Sequence, residues 1–191
     1  MCKFGYFRSA ANQFCSNFSV PFRGKSYFCK TKDFEVMKKT CVITYAEQPT
    51  NELTDADLVL VDKAIQALAG SYSPYSHFGV GAALKLDNGE IVCGANQENA
   101  SYPCGTCAER SALNYAQTAF PNTRVIAIAI VARNSGSDCL EDFVSPCGLC
   151  RQALVEVEQK QASSIKVILA GLQRTLILDS VKDLLPFVFK F

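Results

Sequence analysis

The apolar residues that follow Thr54 recur at the spacing of a helix with one buried face. Thr54 and Asp57 can both satisfy free amide groups at a helix start, as in a capping box. The apolar positions of this stretch are Leu58, Val61, Ile65 and Leu68. Gly70 then offers a stop, because glycine readily adopts the conformation that ends many helices. We therefore predict a helix over residues 54–70.

The rest of the chain alternates predicted strands with further helices. Alternating positions, an Asp87-Asn88-Gly89 turn and continuous apolar runs predict five strands. They cover residues 80–86, 90–94, 125–131, 165–170 and 176–178, the last as a short edge candidate. Helices are predicted over residues 107–118 and 148–159, and a last helical turn over residues 181–185. This alternation predicts an α/β/α sandwich, in which helices cover a central sheet.

Residues 1–36 lack both periodicities and carry a different charge. They hold six basic and two acidic residues, a surplus of +4, so the remainder is −3 by subtraction from the net charge of +1. We favour a disordered tail, or an early start codon with Met37 as the true beginning, over an organellar transit peptide. The predicted organisation is an N-terminal extension over residues 1–45 and one catalytic domain over residues 46–191.

Composition limits the classes of function. Apolar residues make up 49% of the chain and charged residues 19%, which is typical of a globular protein, and no apolar run approaches the roughly 18 residues that span a bilayer. The mildly acidic body lacks the basic surface of a nucleic-acid-binding protein, so we expect a small, weakly charged substrate. Ten cysteines without a secretory signal favour reduced thiols and a cytoplasmic location.

Two short segments carry most of the predicted chemistry, Cys107-Ala108-Glu109 and Pro146-Cys147-Gly148-Leu149-Cys150. Both lie at the starts of predicted helices, where free amides and the helix dipole favour thiolates. Cys147 and Cys150 are close enough to converge on one ion, and the fold must bring Cys107 to them. Three protein ligands leave the fourth zinc position open, as in a catalytic site, and Glu109 supplies a carboxylate beside it. The pattern is typical of the zinc deaminases.

These segments and three others resemble the small cytidine deaminases of pyrimidine nucleoside salvage. The others are Ser71-Tyr72-Ser73-Pro74-Tyr75-Ser76-His77-Phe78, Val80-Gly81-Ala82-Ala83 and Asn96-Gln97-Glu98-Asn99-Ala100. The resemblance covers residues 53–191, and the order and gaps of its motifs make it specific. It implies a mixed five-stranded α/β/α subunit that holds one Zn²⁺ and assembles as a homotetramer.

The resemblance also implies the reaction, which is hydrolytic deamination of cytidine and 2′-deoxycytidine to uridine and 2′-deoxyuridine with release of ammonia. Zinc held by Cys107, Cys147 and Cys150 would activate a water for attack on C4 of cytosine. Glu109 would move the proton of that water to ring N3 and assist the loss of ammonia. Arg110 would offset the negative charge that three thiolates place on a divalent ion.

The remaining site residues follow from the same matching. Asn96 and Glu98 are expected to bind the ribose hydroxyls, and Phe78 to pack on the base. Phe189, near the end of the chain, is expected to reach the site of a neighbouring subunit. The expected partners are therefore a nucleoside and further copies of this chain, with no nucleic acid and no membrane.

Several alternatives stay open at this stage. Cys104 lies three residues before Cys107, and as a fourth ligand it would make the zinc site structural, although it also suits an ordinary thiol. His77, the only histidine, suits a structural loop role, and Phe78 and Phe189 could belong to a core or an interface. Competing functions are deamination of another cytosine-bearing nucleoside, deamination of a polynucleotide, and nucleoside binding without turnover.

Overall fold

The computed structural model describes residues 21–22, 25–26, 36–134 and 139–189. The chain divides into two compact units, residues 1–40 and residues 41–191. In the first unit, Pro21–Phe22 pairs antiparallel with Lys25–Ser26. The predictions of a disordered tail or a transit peptide fall largely on residues outside those described.

The second unit is built on one mixed sheet of six strands. The strands are β1 (Ala46–Pro49), β2 (Phe78–Leu86), β3 (Ile91–Ala95), β4 (Val125–Asn134), β5 (Lys166–Ala170) and β6 (Arg174–Leu178). Their order across the sheet is β1-β6-β5-β4-β2-β3, and the pair β4–β5 is parallel while the others are antiparallel.

The prediction of five strands is wrong by one, and β6 is not the edge that its short apolar run indicated. The sixth strand, β1, pairs with the outer side of β6, from Ala46 opposite Ile177 to Pro49 opposite Arg174. It is only four residues long, largely exposed, and ends in a proline. Such a strand carries no alternating apolar pattern, and proline is tolerated because the strand lies at an edge.

Three helices cover the sheet, α1 (Asp55–Ala67), α2 (Ala108–Ala119) and α3 (Gly148–Gln161). Helix α1 begins as predicted, with the Thr54 hydroxyl accepting a hydrogen bond from the Asp57 amide at 3.3 Å, and it passes into a 3₁₀ turn over Leu68–Gly70. The predicted last helical turn is a 3₁₀ segment, Val181–Leu184.

The helices divide between the two faces of the sheet. Helix α1 packs through residues such as Leu60 and Val61 on the face that carries Ala129. Helices α2 and α3 pack through Leu113 and Leu154 on the opposite face. The predicted α/β/α sandwich is therefore confirmed. In the part of the chain that the structure describes, no helix has the length and apolar character to cross a bilayer.

Candidate metal centre and substrate cleft

The starts of α2 and α3 bring three thiols together. Cys107 is the N-cap residue of α2, Cys147 is the N-cap residue of α3, and Cys150 lies in the first turn of α3. Neither N-cap side chain bonds an amide of its own helix, although serine or aspartate at this position commonly does. The sulfur atoms instead face one another, since the Sγ atom of Cys147 lies 3.7 Å from that of Cys107 and 3.5 Å from that of Cys150.

This arrangement fits a zinc ion. Tetrahedral coordination with Zn–S bonds of about 2.3 Å separates sulfur ligands by about 3.8 Å. The three Sγ atoms all lie within 4.8 Å of one another, so they need little movement to reach that geometry. Cys104 is exposed and falls outside this group, as does His77, among the residues that the structure describes. The group therefore offers three thiol ligands, as predicted, and the geometry does not support a closed site with Cys104.

The three thiols differ in their readiness to ionise. A hydrogen bond from the Cys150 thiol, together with bonds from Cys147 and Arg110, lowers the pKa of Cys107 to about 5. The same hydrogen bond raises the pKa of Cys150, and burial and the nearby charge of Glu109 add to this effect. The thiolate that a metal requires is thus already favoured at Cys107.

Arg110 lies beside the thiols of Cys107 and Cys150. Burial lowers its pKa, but hydrogen bonding and attraction to the thiolate of Cys107 outweigh burial, so the pKa is raised overall. The Nη2 group donates to the carbonyl of Gly105 at 3.5 Å, and the buried Nε has no hydrogen-bond partner among the described residues. The guanidinium therefore keeps positive charge and a free donor next to the sulfur atoms.

Glu109 lies in the first turn of α2 and is only 4% exposed. Burial raises the pKa of its carboxyl, and the negative charge of the Cys107 thiolate raises it further. Hydrogen bonding with the Cys150 thiol lowers this pKa, but by less than burial raises it. A buried carboxyl whose pKa is raised holds a proton more readily than an exposed one, which suits a group that takes up and releases protons in a reaction.

A cleft of about 620 Å³ opens beside the thiols. Its walls include the predicted residues Asn96, Glu98, Cys107 and Arg110. Its other described walls are Tyr75, Ser76, Gln97, Asn99, Tyr102, Pro103, Gly105, Thr106 and Leu149. The cleft has the volume of a small-molecule site and combines aromatic, amide and charged walls.

Asn96 and Glu98 hold the loop that precedes β2. The Oδ1 atom of Asn96 accepts hydrogen bonds from the Val80 amide at 2.8 Å and the Ser71 hydroxyl at 2.6 Å, and its Nδ2 donates to the Phe78 carbonyl at 2.9 Å. One hydrogen of the Asn96 amide remains for a ligand.

Glu98 accepts hydrogen bonds through Oε2 from the amides of Tyr75 at 2.9 Å and Ser76 at 3.2 Å. Bonds from the Ser76 side chain and these amides lower the pKa of Glu98, so it stays a hydrogen-bond acceptor. The sequence prediction gave no role to Ser71, Tyr75 and Ser76, because they act through backbone and hydroxyl contacts, although all three lie in a segment that carries the family resemblance.

The structure does not place every predicted residue on the cleft wall. Phe78 starts β2 and is half-buried, and Glu109 is buried in the first turn of α2. Phe189 is 65% exposed and follows the Val181–Leu184 segment. None of the three is among the residues that line the cleft.

The fold and the three-thiol centre together define a zinc-binding deaminase domain. The family model of the cytidine and deoxycytidylate deaminase zinc-binding region matches residues 54–165, and the chain belongs to this family. A cytidine deaminase of Halalkalibacterium halodurans is 43% identical over 131 residues, which cover 69% of this chain and 92% of that protein.

Two solved structures extend the comparison to the fold. The crystal structure of cytidine deaminase from Burkholderia pseudomallei is 37% identical, with a TM-score of 0.57, and the match covers 72% of this chain and all of that one. Cytidine deaminase from Mycobacterium tuberculosis is 33% identical, with a TM-score of 0.56, over 72% of this chain and 99% of that one. These matches confirm the predicted family and fold class, and the family confirms zinc as the metal.

Proposed function

We propose that this chain catalyses the hydrolytic deamination of cytidine and 2′-deoxycytidine, which forms uridine or 2′-deoxyuridine and ammonia. The observation that carries the proposal is the buried carboxyl of Glu109, two residues after Cys107 in a group of three thiols that could hold a metal ion, beside a nucleoside-sized cleft. The similarity to the cytidine deaminase of Halalkalibacterium halodurans, which covers 92% of that protein, also supports the proposal.

Cys107, Cys147 and Cys150 would hold the zinc ion, whose chemical contribution is to lower the pKa of a bound water. Glu109 would accept a proton from a water molecule as the oxygen of that water bonds to C4, and would deliver this proton to ring N3 of the cytosine base. Glu109 would then pass the second proton of the same oxygen to the amino group as the carbon–nitrogen bond at C4 breaks, so that C4 keeps a carbonyl oxygen and ammonia leaves. Its raised pKa supports this role, because the group must be a base at one step and an acid at the next.

Arg110 would balance the charge of the centre. Three thiolates on a divalent ion carry a net charge of −1, and this charge opposes the acidification of water. The guanidinium lies against Cys107 and Cys150, so it offsets that charge.

The rest of the cleft would hold the nucleoside. Glu98 would accept a hydrogen bond from a ribose hydroxyl, and the remaining amide hydrogen of Asn96 would donate to the same part of the sugar. Phe78 would pack on the base. An acidic carboxylate at the sugar end disfavours a polynucleotide, whose phosphodiester would lie there.

We further propose that the chain is a cytoplasmic homotetramer in which Phe189 enters the cleft of a neighbouring subunit. Phe187 and Phe189 are 90% and 65% exposed, and Tyr102 and Leu149 at the cleft are 77% and 68% exposed. Exposed apolar groups of this size favour burial in an assembly.

The decisive experiment compares the wild type with Glu109→Gln, which keeps the shape of the side chain but cannot take up a proton. Conversion of cytidine to uridine is followed by ultraviolet absorbance, and zinc is counted in both proteins. We expect the variant to lose at least about 10²-fold in turnover while it keeps one zinc per chain. Retained turnover in Glu109→Gln would refute the role of Glu109. A zinc-loaded wild type that does not convert cytidine would redirect the search to other cytosine-bearing nucleosides.

A further inference from the structure

The helix that carries two of the zinc ligands also holds the C-terminal segment of the chain. Two consecutive side chains of α3, Arg151 and Gln152, follow the ligand Cys150 and contact that segment directly. Neither side chain is among the residues that line the cleft.

Gln152 pairs with the backbone of Phe189 at two points. The Phe189 amide donates to the Oε1 atom of Gln152 at 3.2 Å, and the Nε2 atom of Gln152 donates to the Phe189 carbonyl at 3.2 Å. A side-chain amide that accepts from and donates to the same residue imitates the pairing of a neighbouring β-strand. It therefore fixes the orientation of the peptide groups on both sides of Phe189.

Arg151 connects the same segment to the loop that leads into α3 and contains the zinc ligand Cys147. Its Nε atom donates to the carbonyl of Pro146 at 2.8 Å, one residue before the ligand Cys147. Its Nη1 atom donates to the carbonyl of Leu184 at 3.0 Å. One guanidinium thus spans the loop that enters α3 and the turn from which the C-terminal segment departs.

The hydrogen bonds between Gln152 and the backbone of Phe189 also affect where the Phe189 side chain points. Val188 packs against the core, while its neighbours Phe187 and Phe189 point outward. The side chain leaves the backbone between these two peptide groups, so fixing both of them limits the directions in which the Phe189 ring can point.

We propose that Gln152 is a positioning residue that holds the ring of Phe189 outward, in the orientation needed to enter the cleft of a neighbouring subunit. The inference rests on the proposed function, in which Phe189 contributes to substrate binding across the subunit interface. Gln152 acts only through Phe189. Arg151 holds the start of the C-terminal segment, at Leu184, in a fixed position relative to the loop that precedes Cys147.

The test is a double-mutant cycle of Gln152→Ala and Phe189→Ala in the full-length zinc-loaded protein. The loss of two neutral hydrogen bonds should raise KM for cytidine by roughly fivefold to tenfold, with kcat and zinc content nearly unchanged. In the Phe189→Ala background, Gln152→Ala should raise KM no further. Glu156→Ala, an exposed substitution one turn along the same helix, is the matched control and should leave KM unchanged.

Hydrogen exchange at the Phe189 amide supplies a readout that does not depend on activity. Gln152→Ala should lower its protection. Gln152→Glu keeps an oxygen that accepts from the Phe189 amide and loses only the donation to the Phe189 carbonyl, so its protection should fall less. An equal rise of KM with and without Phe189, or unchanged protection in Gln152→Ala, would overturn the proposal.

A wild type without turnover is a failure of the proposed function, which the Glu109→Gln comparison detects separately. By contrast, active enzyme in which Phe189→Ala leaves KM unchanged would overturn the role of Phe189 and the inference together, while deamination itself stands.

Discussion

Removal of the buried carboxylate of Glu158 should be among the most costly single changes in this fold. Glu158 is 1% exposed, in the interior beneath α3. Its Oε2 atom accepts hydrogen bonds from the amides of Ile165 at 2.8 Å and Val181 at 3.0 Å, and its Oε1 atom accepts from the hydroxyl of Ser180 at 2.7 Å. One side chain thereby joins α3, the start of β5 and the last 3₁₀ segment.

The magnitude follows from what each substitution leaves unsatisfied. In Glu158→Ala two buried amides lose their acceptor, at about 1–3 kcal/mol each, so we expect a loss of about 4 kcal/mol in the free energy of unfolding. In Glu158→Gln one amide oxygen can still accept from both backbone groups, and the new NH₂ can donate to the Ser180 hydroxyl. That variant loses mainly the charge facing Lys182, 3.5 Å away and half-exposed, so we expect a loss of about 1 kcal/mol.

Urea unfolding followed by circular dichroism measures these differences, with Glu156→Ala as an exposed control that should change the free energy by less than about 0.5 kcal/mol. Equal losses in Glu158→Gln and Glu158→Ala would mean that charge, not hydrogen-bond acceptance, stabilises this point. A loss below about 1 kcal/mol in Glu158→Ala would refute the reasoning altogether.

Three further outcomes are expected. Gly94→Ala should lower both turnover and zinc content, because its new Cβ would overlap backbone atoms of Ala108 and Ala112 in the first two turns of α2. Gly81→Ala, whose Cβ would overlap the Ala64 carbonyl oxygen of α1 on the other face, should destabilise the fold but leave the zinc content of the folded protein unchanged. Thr54→Ala should lower the free energy of unfolding by about 1 kcal/mol in the same urea titration, and Thr54→Ser should restore most of it. Cys104→Ser should keep one zinc per chain by metal analysis, and loss of the metal would show that Cys104 is a ligand after all.

Prediction from the sequence was most accurate for elements whose structure depends on residues close together in the chain. The helix from Thr54 and the hairpin through Gly89 follow from local spacing and turn chemistry, and both were predicted within a few residues. Strand β1 was not predicted, because it is stabilised by pairing with β6, more than 120 residues away in the chain. Side-chain contacts over the same separation, such as Arg174 with Glu47 at 2.8 Å, add to this pairing.

In the candidate site, too, local features were predicted from the sequence and long-range contacts were not. The spacing of Cys147 and Cys150 and the carboxylate of Glu109 were visible as motifs, because residues three apart in a helix or loop must lie close together. The clamp of Gln152 on Phe189 joins a side chain to a backbone 37 residues away. Since a backbone group can belong to any residue type, such a contact leaves no pattern in the sequence.

Strand β1 also determines how far this domain can be shortened. The family match begins at residue 54, but β6 obtains its outer hydrogen-bonded neighbour from residues 46–49, and Thr50 adds bonds from its hydroxyl to the Gly171 carbonyl and to Thr175. A chain cut at residue 54 would leave the apolar strand β6 as an open edge, free to pair with β6 of another molecule. Because β1 covers this edge, its four residues should reduce aggregation through β6. Strand β1 itself is a poor edge for pairing, since Glu47 is exposed and Pro49 ends the strand.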